Sequence, residues 1–245
     1  MTRSLRTVVG MVVIAVALVA AAVALSSGAG APANAATGGG VRDAANSAAL
    51  FAGIPQRGLR LGRADAPVRL VEFADLQCPY CDEYATQALP TLVTDYVRTG
   101  KLQMQFENLS FIGSGSVAAG RAAAAAAQQN KLWNFIDLLY LNQGEENSGY
   151  VTPSYLHRLL SAVPGLNVPA ALSASGTPAA QGALTDASLL AEQDGVQGTP
   201  WFLIGAAGGP LSQLTPSSLT ATPFAIEINR LYVSAARSSR SRAAK

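Results

Sequence analysis

An α/β fold interrupted by a block of helices is predicted by three features of the 245-residue chain. A strand–helix–strand run extends from "APVRLVEFADLQ" to "KLQMQFENL", the pattern of a parallel pair in an α/β sheet. Helix-forming patterns with no intervening strand then fill about residues 113–192. Finally a second apolar strand, "WFLIG", is followed by Gly-rich turns and an amphipathic helix, "FAIEINRLYVSA".

Each element has a local reason. Val68, Leu70, Val71 and Phe73 make a short, mostly apolar strand of the buried kind. In "DEYATQALPTLVTDYVRTG" the residues Tyr84, Leu89, Leu92, Val93 and Tyr96 recur at helical spacing, and Gly100 is a stop. Pro90 lies inside this helix and should kink it, because proline lacks the amide donor and its ring crowds the preceding turn. Leu102, Met104 and Phe106 alternate with polar neighbours in the next strand. In "SVAAGRAAAAAAQQNKLWNFIDLLYLNQ" strong helix formers dominate, with Leu132, Phe135, Leu138 and Leu139 on one face. The alanine run permits close helix packing.

The ends point to export. Arg3 and Arg6 precede an uncharged apolar run, Val8 to Leu25, and small residues follow. Positive charge is held inside while such a run enters the bilayer. The run is longer than the core of most signal peptides and close to the length that spans a membrane. Two outcomes stay open: residues 1–25 are a retained anchor, or a signal peptide is removed after Ala33-Asn34-Ala35. Residues 26–59 are rich in Gly, Ala, Ser and Asn and read as a tether. The folded domain is expected over 60–235, and the basic tail 236–245 is expected to be a solvated end. About 200 residues beyond Gly40 suffice for one domain with its own core. A net charge of +2 argues against a nucleic-acid partner.

The chain holds two cysteines, both in "LQCPYCDEY". A structural bridge is one reading, but so short a ring constrains the unfolded chain little, by about 2 kcal/mol. A metal site is another, yet structural zinc needs about four ligands, and the single histidine, His157, lies far away in a helical stretch. A redox pair is the third. Cys78 falls where strand gives way to helix, near unpaired backbone N–H groups and the positive end of the helix dipole. That placement lowers a thiol pKa and makes the thiolate both nucleophile and leaving group. Pro79 suits the first helical position, and Cys81 is placed one turn on to resolve a mixed disulfide. Asp82 and Glu83 oppose a low pKa if they lie close to the sulfur.

With these residues the sequence resembles the DsbA-like thiol–disulfide oxidoreductases of the thioredoxin superfamily. The strand–CxxC–helix unit and the helical insert carry the resemblance, together with "GVQGTP" ahead of "WFLIG". The resemblance implies a thioredoxin-like fold in which Pro200 follows a cis peptide bond and faces the cysteines. It implies that Thr199 offers its backbone to an extended substrate, and that Glu72, six residues before Cys78, is a buried acid relaying a proton for Cys81. An outward-facing strand residue is the other reading of Glu72. Tyr80, between the cysteines, either contacts substrate or is an exposed aromatic without special role.

The chain departs from DsbA at Pro79-Tyr80, where DsbA has Pro-His. Pro-Tyr, with Thr before the proline, is more like the DsbG/DsbC type of isomerase or reductase, but the 34 residues from Ser26 to Leu59 are too few for the dimerisation domain of those proteins. The expected function is therefore disulfide exchange with exported proteins outside the cytoplasm, as oxidant in preference to reductant or isomerase. A membrane redox partner would reoxidise the pair. No FAD, NAD or phosphate-binding glycine signature is present, so no cofactor is expected. The competing class is a thiol metal-binding or adaptor protein without catalysis.

Overall fold

The computed structural model describes residues 40–243, with side chains described to residue 238. The expected anchor or signal at 1–25 and the cleavage point after Ala35 lie outside the described residues. Among the described residues no helix is long and apolar enough to cross a membrane.

The chain from Val41 onward forms one unit. It opens with helix α1 (Ala44–Phe51), then the short strands β1 (Gln56–Arg57) and β2 (Arg60–Leu61) and the central strand β3 (Val68–Ala74). Helices α2 (Pro79–Gln87) and α3 (Leu89–Leu92) and a π-helical turn (Val93–Val97) lead to β4 (Leu102–Asn108). The helical insert comprises α4 (Ser114–Gln128), α5 (Leu132–Leu141), α6 (Pro153–Ala162), α7 (Val168–Ser175) and α8 (Pro178–Gln193). Strands β5 (Trp201–Ala206) and β6 (Ser212–Leu214) and helix α9 (Ala221–Ala243) complete the chain.

The sheet has the order β1-β2-β4-β3-β5-β6. Strands β3 and β4 are parallel, from Val68 opposite Leu102 to Ala74 opposite Asn108, while β5 runs antiparallel to β3 with Glu72 opposite Phe202. Alternation along β3 divides the core in two. Val68, Leu70 and Ala74 face the larger cluster, which contains Cys81 and Tyr84 of α2, the insert helices α4 to α6, and Phe224 and Ile228 of α9. Val71 and Phe73 face the smaller cluster under α8, with Ala187, Ala191 and Leu203. Both faces are covered, which is why β3 reads as a nearly continuous apolar run.

Five sequence expectations are corrected or refined. Part of the tether assigned to 26–59 is folded: α1, β1 and the residues around them belong to the domain, with Phe51 and Ile54 in its core. Phe51 and Ile54 dock the segment, with Leu50 and Leu59 packed against the same core and the Arg98 guanidinium donating to the Leu50 and Ala52 carbonyls. The basic tail is helical as far as Ala243, because α9 continues through it without a breaker. Strand β4 does not alternate cleanly, since Gln103 and Glu107 are also buried. Helix α5 is not one-faced: every residue from Leu132 to Tyr140 is buried, because the helix runs between α4, α6 and α1 instead of along the surface. At Pro90 the expected kink is a break into α2, α3 and the π-helical turn.

Trp133 binds the insert to the sheet. It is fully buried, stands edge-on to Phe106 at 6.2 Å between ring centroids, and donates its indole N–H to the Leu59 carbonyl at 3.2 Å. Trp133→Ala is expected to lower the free energy of unfolding by about 3–5 kcal/mol, read as a shift of the urea midpoint followed by circular dichroism.

Candidate redox site

Strand β3 ends at Ala74 and the next four residues turn the chain into α2. Cys78 is the N-cap of that helix in an extended conformation, and Pro79 occupies its first turn, where a missing N–H is harmless. The turn is fixed chiefly by Asp75. Its fully buried carboxylate accepts hydrogen bonds from the Gln77 amide (2.8 Å) and the Ser116 hydroxyl (2.6 Å) on one oxygen, and from the Phe111 (2.9 Å) and Ile112 (3.0 Å) amides on the other. Its carbonyl accepts from the Cys78 amide at 3.1 Å and from the Tyr140 hydroxyl at 3.2 Å. From α5's end, the Gln143 amide group donates to the carbonyls of Leu76 and Cys78 at 3.2 and 3.3 Å.

Both cysteines are free thiols, and their surroundings differ. Cys78 lies at the surface edge of the core, its neighbours Pro79 and Tyr80 exposed. Its thiol is within 3.5 Å of the Thr199 carbonyl, to which it can donate. The Thr199–Pro200 peptide bond is cis. A hydrogen bond from the Cys81 side chain, aided by the Thr199 side chain and the backbone amides of Cys81 and Tyr80, lowers the Cys78 pKa to about 6 against the opposing effect of burial. Neither Asp82 nor Glu83 is among the causes that shift it. Cys81 is fully buried, and burial drives its thiol pKa well above the ordinary value, with the contact to Cys78 and the charges of Cys78 and Glu72 adding to the rise.

Glu72 is 2% exposed, on the core side of β3 beneath the pair. Its Oε1 has no hydrogen-bond partner in the protein, and burial, then the negative charge of Cys78, raise its carboxyl pKa to about 8. The alternative reading of Glu72 as an outward-facing strand residue is thereby overturned: its alternate neighbours Leu70 and Ala74 show which way this face points. Tyr80 is 63% exposed and forms one wall of a cavity of about 280 Å³ beside the pair, with Thr199, Pro200, Phe202, Leu214 and Leu219. Thus Cys78, Cys81, Glu72, Tyr80, Thr199 and Pro200 converge on one end of the sheet. His157 is exposed on α6, and no group of three potential metal ligands occurs among the described residues.

Sequence reasoning missed Asp75, Ser116, Tyr140 and Gln143. The first could have been flagged as an Asp at a strand end bonding the amide two residues on, a common turn device. The others had no signal, because their contacts lie 39 to 67 residues away in the chain.

A parallel β–α–β core, a cysteine pair capping its helix, a facing cis-proline loop and an inserted helical block together define a thioredoxin-like fold of the DsbA kind. A family model described as Thioredoxin matches residues 56–209, and the chain belongs to this family. It is similar to the probable disulfide bond formation protein D of Bacillus cereus, at 39% identity over 98 residues, which is 39% of this chain and 45% of that protein. The chain therefore spans less than half the length of this curated relative. Among solved structures it is similar to oxidised BdbD of Bacillus subtilis (TM-score 0.62, 22% identity, 73% of this chain and 97% of that one). It is also similar to α-DsbA1 of Wolbachia pipientis (TM-score 0.63, 18% identity, 74% and 93%). At these identities the likeness establishes the shared fold.

Two measurements follow from the site. Alkylation of Cys78 should follow a thiolate titration with a midpoint near pH 6. In Cys81→Ala it should move up towards the ordinary thiol value of about 8.5, because the largest stabilising hydrogen bond is gone. Glu72 has the opposite sign. Its folded pKa is raised, so the folded state holds its proton while the unfolded chain loses it from about pH 4.5 upward. The burden on stability grows with pH between those values and about pH 8. Glu72→Gln should therefore stabilise the protein by on the order of a few kcal/mol at pH 8 and by little at pH 4.5, read from urea unfolding at the two pH values.

Proposed function

We propose that the chain is an extracytoplasmic thiol–disulfide oxidoreductase that donates disulfides to exported proteins. The observation that carries this reading is the inequality of the two thiols: an acidic Cys78 at the edge of the core, 5% exposed, between the exposed Tyr80 and the Thr199–Pro200 loop, and a fully buried Cys81 that holds its proton. A stabilised Cys78 thiolate favours the reduced form of the pair, which makes the disulfide form a strong electron acceptor.

In the oxidising cycle a substrate thiolate attacks Cys78 Sγ of the Cys78–Cys81 disulfide. The old S–S bond breaks, a mixed disulfide to Cys78 forms, and the electron pair leaves on Cys81. Glu72 supplies the proton that neutralises Cys81. A second substrate thiolate then attacks the substrate sulfur of the mixed disulfide and expels the Cys78 thiolate. The substrate has lost two electrons, and the protein holds the dithiol. A membrane-bound partner that takes these electrons would restore the disulfide, and the amino-terminal segment would hold the domain at that membrane. Thr199 and the cis-proline loop serve as the edge on which an extended substrate lies, with Tyr80 at its margin. Reduction or isomerisation of the DsbG/DsbC type is the second reading, favoured by Tyr80 and Thr199.

Oxidative refolding of a reduced, unfolded disulfide protein tests the proposal. The oxidised chain should restore activity stoichiometrically, and Cys78→Ser and Cys81→Ser, which can form no internal disulfide, should both abolish this. Offered a substrate disulfide instead, the Cys78 thiolate of Cys81→Ser should displace one substrate thiol and stay trapped as the mixed disulfide. No oxidation of the substrate by the intact disulfide form would contradict the proposal.

A further inference from the structure

Beneath the pair lies a second buried polar group that the exchange chemistry leaves unused. Tyr84, one turn beyond Cys81 on α2, is completely buried, and its hydroxyl has no partner in the protein. Its position relative to Glu72 is fixed by Phe202. That residue is the cross-strand partner of Glu72, and its ring lies 4.7 Å from the ring of Tyr84. Phe224 closes the other side at 5.0 Å. Tyr84, Cys81 and the strand face that carries Glu72 therefore belong to one core. Within it Glu72 Oε1 and the Tyr84 hydroxyl are both enclosed and both unpartnered. The neighbouring Tyr140, by contrast, spends its hydroxyl on the Asp75 carbonyl.

Two enclosed polar groups in one core are each unfavourable alone and favourable together; no direct hydrogen bond joins them in this structure, and one bridging water or a small side-chain rotation would. Their chemistry is complementary. Burial first, and then the charge of Glu72, keep the phenol protonated far above neutral pH, so it is a permanent donor. A carboxylate is an acceptor.

We propose that Tyr84 is a positioning residue of the proton relay, its hydroxyl hydrogen-bonding the Glu72 carboxylate that forms when the proton passes to Cys81. This rests on the exchange reading above. When the Cys78–Cys81 bond breaks and its electron pair leaves on Cys81, the proton moves from Glu72 to Cys81 Sγ. A negative charge then appears on Glu72 inside the core, where Cys78, Cys81 and Tyr140 are the other titratable groups that interact with it and the Tyr140 hydroxyl is already spent on the Asp75 carbonyl. The Tyr84 hydroxyl stabilises that charge and so makes Glu72 a stronger acid than burial alone would allow. In reoxidation the same bond is released as Glu72 regains the proton from Cys81.

The test is infrared titration of the protonated Glu72 carboxyl in the disulfide form, where no thiol ionises, the band being assigned by its loss in Glu72→Gln. Tyr84→Phe keeps the ring packing and removes one oxygen. It should raise the midpoint of that titration by about one pH unit, since a hydrogen bond to the charged form lowers a carboxyl pKa. It should also slow mixed-disulfide formation at pH 7 by about three- to tenfold and move the inflection of its pH profile upward by the same amount. In the Glu72→Gln background the same substitution should change neither rate nor profile. An unchanged Glu72 midpoint in a Tyr84→Phe protein with native near-ultraviolet circular dichroism would overturn the proposal, as would equal slowing in the Glu72→Gln background. Should Tyr84→Phe fail to fold, difluorotyrosine at position 84, a stronger donor of nearly the same shape, must lower the midpoint, and an unmoved or raised midpoint overturns the proposal. A shifted midpoint in a protein that exchanges no disulfides would overturn the exchange reading alone, because the infrared signal does not depend on turnover.

Discussion

The site depends on one buried carboxylate that is not part of its chemistry. Asp75 gathers four donors from three parts of the chain: its own turn, the loop after β4, and the first turn of α4. Each of those donors would be costly to bury alone, and a charged acceptor makes the bonds stronger than neutral ones. The result is that the turn carrying Cys78 and the beginning of the helical insert cannot move independently. Gln143 and Tyr140, from the carboxyl-terminal end of α5 within the insert, bond the same turn through its carbonyls. The insert is thus a support for the cysteine pair as well as a wall beside it.

On that support the two sulfurs are held in unlike surroundings. Cys78 caps a helix at the edge of the core, where backbone amides and the Cys81 thiol can solvate a thiolate. Cys81 points inward, where a thiolate has little to solvate it, and Glu72 lies below with a proton it gives up only with difficulty. Burial therefore acts in opposite senses on function: it is overcome at Cys78 by hydrogen bonds and left to prevail at Cys81 and Glu72. A buried, incompletely partnered acid in the central strand lowers stability near neutral pH, and such departures from good packing concentrate at functional sites.

Much of this was legible in the sequence because its causes are local. Apolar runs marked β3 and β5, Pro79 marked a helix start just after Cys78, and the spacing of the cysteines put one at the cap and one a turn inside. Pro90 announced a break in the helix. The Thr199–Pro200 loop and the inward-facing Glu72 were legible through family resemblance, since neither composition nor period distinguishes them. What was not legible rests on distant partners. The segment around α1 lacks a helical period, and its place is set by the burial of Phe51 and Ile54. Asp75 acquires its role from amides and a hydroxyl 36 to 41 residues downstream. The interior position of α5 is set by the helices around it, and no face of its own sequence foretells it.

The central claim is that the fold makes the reduced, Cys78-thiolate form the comfortable one. The reduction potential of the Cys78–Cys81 pair, measured by equilibration with a glutathione buffer at pH 7, tests it most directly. A value well above that of thioredoxin, towards the roughly −120 mV of a strong dithiol oxidant, is what this arrangement predicts. A value near the about −270 mV of thioredoxin would contradict it, and would make the chain a reductant despite its acidic cysteine.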